Sequence, residues 1–167
     1  MKTDMNDKAE VEKRLWAELE QGRFGMLGAD STSDGGFHPM TAYAEPESKT
    51  IWFYTSKETE LGRAAVGGVQ AMFIAMAKDQ DFQACIDGYL TVSHDTLHRD
   101  KYWSPMVSAW FAEGRTDPNV TLLAFACRQA DVWVSDAGAL KFGWEMTKAH
   151  LIGGEPDVGG RAHITFR

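Results

Sequence analysis

The segment 55–58 places hydrogen-bonding and charged side chains where a strand pattern gives way to a helix pattern. It reads Thr-Ser-Lys-Glu, which fits a capping box in which the threonine caps the helix and the glutamate returns to the threonine amide. Free amides and the positive end of the helix dipole suit a phosphate there. Lys57, Arg63 and His38 would add positive charge or hydrogen bonds. The alternative is an ordinary solvated cap, because capping boxes greatly outnumber anion sites.

A second cluster contains two histidines. His94 and His98 stand one helical turn apart in the run H-D-T-L-H, a spacing that can bind zinc. Asp95 between them is a natural N-cap, His94 falls at the end of a predicted strand, and the sequence offers no obvious third ligand. A solvated helix start is therefore favoured, and no metal site is predicted.

Other signatures of catalysis are absent from the sequence. It contains no nucleophile elbow, no Walker loop and no GxGxxG after a strand. Cys85 and Cys127 have no CxxC spacing, so neither a zinc knuckle nor a disulfide framework is expected, and two buried thiols are favoured. Any redox chemistry would therefore come from a bound cofactor.

Composition limits the class of protein. The chain has 167 residues and 18.6 kDa, which predicts a single domain over residues 1–167. Its net charge of -7 argues against a nucleic-acid partner, which would require a basic face. No apolar run approaches the roughly 20 residues of a membrane span, so we expect a cytoplasmic protein without a membrane partner.

Hydrophobic periodicity predicts a mainly β, α+β fold with helices around an antiparallel sheet. Six or more short strands favour a closed or nearly closed barrel, which removes exposed edges. The first three strands are expected to form a meander, and the next two a hairpin. The predicted strands are 23–30, 37–44, 50–56, 67–77, 81–93, 120–136 and 161–166. The predicted helices are about 5–21, 60–66, 95–103, 104–114 with Ser104 as N-cap, and 140–152, so that a C-terminal helix and strand occupy about 139–166.

Five motifs occur in an order that resembles a known family. They are H-P-M-T-A at 38–42, W-F-Y-T-S at 52–56, F-Q-A-C-I-D-G at 82–88, A-W-F-x-x-G-x-x-D-P at 109–118 and A-D-V-W at 130–133. Together they resemble the pyridoxamine 5'-phosphate oxidase-like proteins, and most of all the bacterial general stress proteins that bind flavin on a split β-barrel. The resemblance spans about residues 15–136.

The resemblance implies FMN as cofactor, with FAD, haem or a deazaflavin less favoured, and a homodimer with the site between subunits. Trp133 would reach the cofactor from the other subunit. Trp110 would shield one flavin face, although a core or interface role is favoured for it. The resemblance and the cations above give these candidate cofactor-binding residues: His38, Met40, Thr41, Tyr54, Thr55, Ser56, Lys57, Arg63, Gln83, Trp110 and Trp133.

The sequence departs from the family pattern at two places. The family often has Ser-x-Lys at the helix start, whereas this chain has Thr-Glu-Leu at 59–61, without the phosphate-binding lysine. The true oxidases carry an Arg-x-His pair soon after the tryptophan; Arg161 and His163 have that spacing but lie far later. Pyridoxamine phosphate oxidase activity itself is therefore not expected. Two functions stay open. One is a flavin-dependent oxidoreductase of a small molecule, active in a stress response. The other is a non-catalytic dimer that carries or senses a flavin or another small ligand and has lost turnover or its cofactor.

Overall fold

The computed structural model describes residues 3–30, 32–135, 139–153 and 159–167. Strands dominate, and helices lie at the periphery. The strands are β1 Phe24–Ala29, β2 Phe37–Thr41, β3 Tyr43–Glu45, β4 Thr50–Ser56, β5 Val69–Met76, β6 Phe82–Ser93, β7 Val120–Val134 and β8 Gly160–Thr165. The α-helices are α1 Lys8–Gly22, α2 Glu60–Ala64, α3 Thr96–Lys101, α4 Pro105–Ser108 and α5 Ala139–Ile152, with short 3-10 turns at Ala65–Gly67 and Gly114–Thr116.

One antiparallel sheet contains all the strands in the order β2-β1-β5-β6-β7-β4-β3, with β8 also paired to β7. It curls into a half-barrel. The long strands β6 and β7 bend at an irregularity where Gly88 pairs with Cys127 but the preceding Asp87 pairs with Gln129. A Cβ on Gly88 would overlap the carbonyl oxygen of Ala126, so glycine permits the close backbone approach at this bulge.

The interior of the half-barrel forms the main core. Fully buried phenylalanines on β4, β5, β6 and β7 fill it: Phe53, Phe73, Phe82 and Phe125. Helix α1 buries one face against this core through Val11, Leu15, Trp16 and Leu19, which recur at helical spacing. Asp7 caps this helix by accepting hydrogen bonds from the amides of Ala9 and Glu10.

A smaller core lies apart from the barrel interior, where the segment 96–111 covers β3, β4 and β7. It consists of the buried residues Tyr43, Trp52, Val107, Phe111, Val120 and Leu122. Tyr43 packs edge-on against Tyr54 with ring centroids 5.7 Å apart. This second core holds α3 and α4 beside the end of β4.

The prediction of an antiparallel barrel of six or more strands with peripheral helices is confirmed, although the sheet is a half-barrel and not a closed one. The hairpin of β5 and β6 is also confirmed. The pairings of the three-strand meander are confirmed, because the predicted strand 37–44 pairs with β1 through β2 and with β4 through β3, but it is not one continuous strand. The chain breaks at Ala42, whose amide donates to the carbonyl of Arg23 at 2.6 Å, and β2 and β3 therefore lie at opposite ends of the strand order.

Two predicted helix ends are also corrected. Thr59, not Thr55, caps α2: its Oγ1 accepts the amide of Gly62 at 3.0 Å, so the capping box at 55–58 is wrong. Ser104 caps α4 as predicted, but the helix ends at Ser108. The end of the predicted strand 120–136 at residue 136 lies outside the described residues.

The two cysteines differ in burial. Both thiols are free. Cys127 is buried, and burial raises its pKa. Cys85 is only half-buried, and burial, followed by the charges of Asp131 and Asp87, raises its pKa as well. The expectation of two buried thiols is therefore correct for Cys127 and too strong for Cys85.

Candidate functional site

A surface cleft of about 350 Å³ opens where β2 and β4 end beside α4. We call it the aromatic cleft. Its lining residues combine ring and aliphatic side chains with hydroxyl groups, and none of them carries a formal charge. They are Pro39, Met40, Thr41, Tyr43, Tyr54, Thr55, Ser56, Thr59, Met106, Val107, Trp110 and Phe111.

The hydroxyl end of the aromatic cleft is built by the turn that joins β4 to α2. Thr55 Oγ1 and Thr59 Oγ1 lie 3.0 Å apart. Thr59 Oγ1 also donates to the carbonyl of Ser56 at 2.9 Å, and Ser56 Oγ is 3.4 Å from the amide of Glu58. These bonds fix the turn. Thr59 Oγ1 also accepts the amide of Gly62, so its hydrogen-bonding capacity is used, whereas the oxygens of Thr55 and Ser56 keep lone pairs for a ligand.

The other end of the cleft is aromatic. Tyr54 Oη donates to the backbone carbonyl of Arg99 and lies 3.5 Å from that of His98. Burial raises the pKa of Tyr54, so this phenol stays neutral and held in place. Phe111 is buried, but Trp110 beside it is 83% exposed. Trp110 therefore stands free at the rim, where a flat ligand can stack on it.

The predicted cations lie outside the aromatic cleft. Lys57 follows Ser56 directly, but it lines a different cleft. Arg63 is exposed on α2. His38 Nε2 lies 3.3 Å from Asp34 Oδ2, although this buried nitrogen makes no well-aligned hydrogen bond. The pKa of Asp34 is lowered chiefly by a hydrogen bond from the amide of Gly36 and further by His38.

Gln83 and Trp133 lie together but away from the aromatic cleft of their own chain. They are direct partners on β6 and β7. Gln83 Nε2 donates to the carbonyl of Gln80 at 2.7 Å. Trp133 is partly exposed, and the guanidinium of Arg161 lies 5.2 Å from its ring centroid.

These two residues belong to the outer face of the sheet, which carries exposed apolar side chains. The register places Met26 beside Pro39 and Ile74, and Met76 beside Gln83. We call this surface the outer apolar face; it contains Phe24, Met26, Phe37, Pro39, Met72, Ile74, Met76 and Trp133. Pro39 also lines the aromatic cleft, so the face reaches the rim of that cleft.

The predicted histidine pair is separated by its local contacts. His94 is exposed before α3. His98 lies between two carboxylates, with Nδ1 2.6 Å from Asp95 Oδ2 and Nε2 3.0 Å from Glu45 Oε2, and it stacks on Trp52 with centroids 4.2 Å apart. Among the residues that the structure describes, no three His, Cys, Asp or Glu side chains are arranged to hold a metal ion.

Sequence reasoning missed some residues of the site. Tyr43, Thr59, Met106 and Phe111 line the aromatic cleft without having been predicted. Thr59 could have been found by testing both threonines of the 55–59 segment as caps.

Arg161 and His163 are far from Trp133 in sequence, but the fold brings their strand beside it. β7 pairs with β8, and Trp133 is directly opposite Arg161. Both residues contact Asp131, at 3.0 and 3.3 Å. The pKa of Asp131 is lowered, first by the hydrogen bond from Arg161.

Comparison with known proteins identifies the family. A family model described as pyridoxamine 5'-phosphate oxidase like matches residues 10–157. The chain belongs to the pyridoxamine 5'-phosphate oxidase-like family. No curated protein matches this family member.

Solved structures of general stress proteins resemble this family member closely. One from Jannaschia sp. CCS1, assigned as general stress protein 26, is 33% identical with a TM-score of 0.79, and the match covers 95% of this chain and 99% of that chain. The general stress FMN/FAD binding protein from Xanthomonas citri is 34% identical with a TM-score of 0.72, over 78% of this chain and 92% of that chain. The resemblance found in the sequence is thus confirmed. Within the described residues, no helix has the length and apolar character to cross a membrane.

Proposed function

We propose that this protein binds a flavin in the aromatic cleft, with FMN as the first candidate. The observation that carries the proposal is the convergence of predicted residues from distant segments in one cleft. These residues are Met40, Thr41, Tyr54, Thr55, Ser56 and Trp110. A related protein from Xanthomonas citri is named for FMN/FAD binding, which supports the same ligand class.

The chemistry of the cleft fits part of a flavin well. The exposed indole of Trp110 and the rings of Tyr43 and Tyr54 suit a flat, mostly apolar ring system. The hydroxyls of Thr55 and Ser56 suit a polyol chain. A phosphate fits less well, because no lining residue is charged.

This mismatch predicts how the ligand is recognised. His38, Lys57 and Arg63 are sequence neighbours of cleft residues but do not line the cleft. We therefore expect the phosphate to add little affinity, so that FMN and riboflavin bind within about tenfold of each other. A much larger preference for FMN would show that one of these cations reaches the phosphate.

We also propose that the protein is a homodimer joined through the outer apolar face. Exposed apolar patches of this kind mark interfaces. Because the face reaches the cleft rim at Pro39, a second copy seated there would stand beside the cleft. We propose that the second copy contributes its Gln83 and Trp133 to the flavin site.

The dimer can be tested separately from the ligand. Met26→Lys puts a charge into the outer apolar face and should convert the dimer to monomer in light scattering at micromolar protein. Leu97→Lys is the control, because Leu97 is also an exposed apolar residue, at 80% against 38% for Met26, and lies on α3 outside this face. A monomeric parent protein, or a dimer that survives Met26→Lys, would contradict the interface.

The flavin proposal is tested by absorption of the freshly purified protein and by titration with FMN, FAD and riboflavin. Thr55→Ala should weaken flavin binding about fivefold to tenfold, the effect of one lost hydrogen bond. Thr50→Ala is the matched control, since it makes the same change on β4 but outside the cleft. Failure of all three flavins to bind at tens of micromolar would end the proposal.

Within this assignment, we propose oxidation or reduction of an unidentified small molecule, in a cytoplasmic stress response. A bound flavin supplies hydride and electron transfer. The protein itself supplies an aromatic wall that orients the flavin ring and hydroxyl groups that hold the polyol part of the flavin. Reduction of bound flavin by NADH or NADPH under anaerobic conditions is the test of turnover.

A second function, binding or sensing without turnover, is favoured by one specific observation. The residues that line the aromatic cleft include no His, Cys, Lys, Arg, Asp or Glu, so apart from its two tyrosines the cleft holds no side chain of the kinds that usually transfer protons. Rapid flavin reduction by a nicotinamide would exclude this alternative. Bound flavin that stays oxidised with every donor would support it.

A further inference from the structure

A second surface cleft, of about 310 Å³, lies where the end of β4 meets α2, β6 and α3. We call it the cationic cleft. Its lining includes Lys57, His94 and Arg99, and it contains no Asp or Glu. The hydroxyl residues Ser93 and Thr121 complete its polar part.

The basic side chains of this cleft have no carboxylate partner among the described residues. Ion pairs within 4 Å in the described ranges join Arg14, Lys49, Lys101, Arg115 and Arg161 to acidic groups, but none involves Lys57, His94 or Arg99. Arg99 Nη2 donates to the carbonyl of Val120 at 3.1 Å. This bond holds the guanidinium at the cleft wall and leaves its other donors available.

Three acidic side chains on the surrounding elements make their own hydrogen bonds. Asp95 accepts the amides of Leu97 and His98 and contacts the His98 ring. Glu60 accepts the amide of Ser33. Asp117 accepts the amides of Glu113 and Asn119. Glu58 and Asp100 follow Lys57 and Arg99 directly in the chain, and Asp100 pairs with Arg115. Within the described residues, none of these carboxylates forms an ion pair within 4 Å with Lys57 or Arg99.

Such a cluster is unusual in this chain. The protein has 24 acidic and only 17 basic side chains, and like charges brought together without a counterion repel each other. A Lys ammonium beside an Arg guanidinium is the combination that binds phosphate groups by charge-assisted hydrogen bonds. The remaining wall is apolar, with Val66, Val92 and Val120.

We propose that the cationic cleft is a second ligand site, which binds a phosphate monoester of a small apolar alcohol. Lys57, His94 and Arg99 hold the phosphate, and the valines contact the organic part. The site is separate from the aromatic cleft and does not depend on the flavin assignment. The valine wall distinguishes a monoester from inorganic phosphate, which would gain nothing from it.

The test is calorimetric titration of the full chain with phenyl phosphate and with inorganic phosphate at constant ionic strength. Phenyl phosphate should bind at one site per chain, at least about fivefold more tightly than inorganic phosphate. Lys57→Gln and Arg99→Gln should each weaken binding about tenfold or more. Lys13→Gln is the matched control, because it removes one exposed positive charge on α1 and should change affinity less than twofold. Because Arg99 also bonds the backbone, His94→Gln is included as a variant without that structural role.

Two further outcomes decide the proposal. It is overturned if neither phosphate saturates the protein at millimolar concentration, or if Lys13→Gln weakens binding as much as Lys57→Gln does. Flavin titration of the Lys57→Gln variant separates the two sites. Unchanged FMN affinity supports a second site, whereas weaker FMN binding with unchanged riboflavin binding would show that the cleft holds the flavin phosphate instead. Absence of flavin binding would leave the phenyl phosphate result intact.

Discussion

The aromatic cleft and the cationic cleft differ in charge although one short segment, 54–62, contributes to both. Thr55, Ser56 and Thr59 line the aromatic cleft, whereas Lys57 and Gly62 line the cationic cleft. Thr55 and Ser56 are consecutive on β4 but line the same cleft, so the turn after Ser56, and not the alternation of side chains along the strand, separates the two clefts. A strand end followed at once by a turn can therefore separate neutral recognition of a ring from recognition of an anion.

The segment also links the two clefts mechanically. Tyr54 belongs to the aromatic cleft, and its hydroxyl donates to the backbone carbonyl of Arg99, which belongs to the cationic cleft. A change in the position of α3 would therefore alter the geometry of both clefts. Variants at shared, separate and linking residues test how independent the clefts are.

The largest effect is expected from Gly62→Ala, which should damage both clefts at once. A Cβ at residue 62 would lie 2.5 Å from the carbonyl oxygen of Ser56 and 3.1 Å from Thr59 Oγ1. The backbone cannot yield without moving the turn, so we expect a loss of about 1–3 kcal/mol in the free energy of unfolding. Urea unfolding measures the loss, and titrations should show weaker binding of both FMN and phenyl phosphate. Retention of both affinities would show that the turn does not shape the clefts.

Trp110→Ala should affect one cleft alone. Loss of a stacking ring is expected to weaken flavin binding about tenfold, or about 1.4 kcal/mol, with little effect on stability because Trp110 is 83% exposed. Trp144→Ala is the control, since Trp144 on α5 is also exposed, at 68%, and does not line the aromatic cleft. Fluorescence titration with riboflavin gives the affinity. A change in phenyl phosphate binding would contradict the separation of the clefts.

Much of the fold was predictable because its strands alternate strongly. In β6, every second side chain from the buried Phe82 onward is directed inward. Such alternation in the sequence predicts both the strand and the side chains that face the core. The break at Ala42 was not predictable, since the chain changes its pairing partner there from β1 to β4. The end of α4 also depends on context: the amides of Trp110 and Phe111 bond to carbonyls three residues back, which tightens the chain and buries Phe111.

The sequence predicted many residues of the site, but not which of the two clefts each residue lines. Thr55, Ser56 and Lys57 were predicted as one group, because sequence order does not tell which side of a turn each side chain takes. The placement of Arg161 beside Trp133 was likewise missed, since it follows from the pairing of β7 with β8 across an intervening helix. Spatial neighbours created by strand pairing leave no local signal in sequence.

Glu45→Gln should have a smaller effect, which depends on pH. Burial, the largest single influence on Glu45, acts to raise its pKa, but hydrogen bonds from Ser48, Lys101 and Tyr102 together with the charge of His98 outweigh it and lower the pKa to about 2 from 4.5. Because the folded-state pKa is depressed, this stabilisation is present above pH 4.5 and is lost as the pH falls toward 2.

The carboxylate connects β3 to α3, so the variant should cost on the order of 1 kcal/mol at pH 7. Urea unfolding of parent and variant at pH 7, 4 and 3 should show this difference shrinking as the pH falls. A difference that stays constant with pH would mean that the variant acts through packing and not through charge. Glu47→Gln, an exposed neighbour, is the control and should leave stability unchanged.

Tyr54→Phe should have a modest effect on stability and the most informative effect on the coupling between the two clefts. It removes the hydroxyl that donates to the carbonyl of Arg99 but keeps the ring in the aromatic cleft, so a loss of about 0.5–1.5 kcal/mol is expected. Without this bond α3 is less firmly held, and phenyl phosphate should bind a few-fold more weakly although Tyr54 does not line the cationic cleft. Flavin affinity should change less, because the ring contact remains. The same loss in both affinities would place the hydroxyl in direct contact with the flavin, and no loss in either would show that α3 is held by Glu45 and its partners alone.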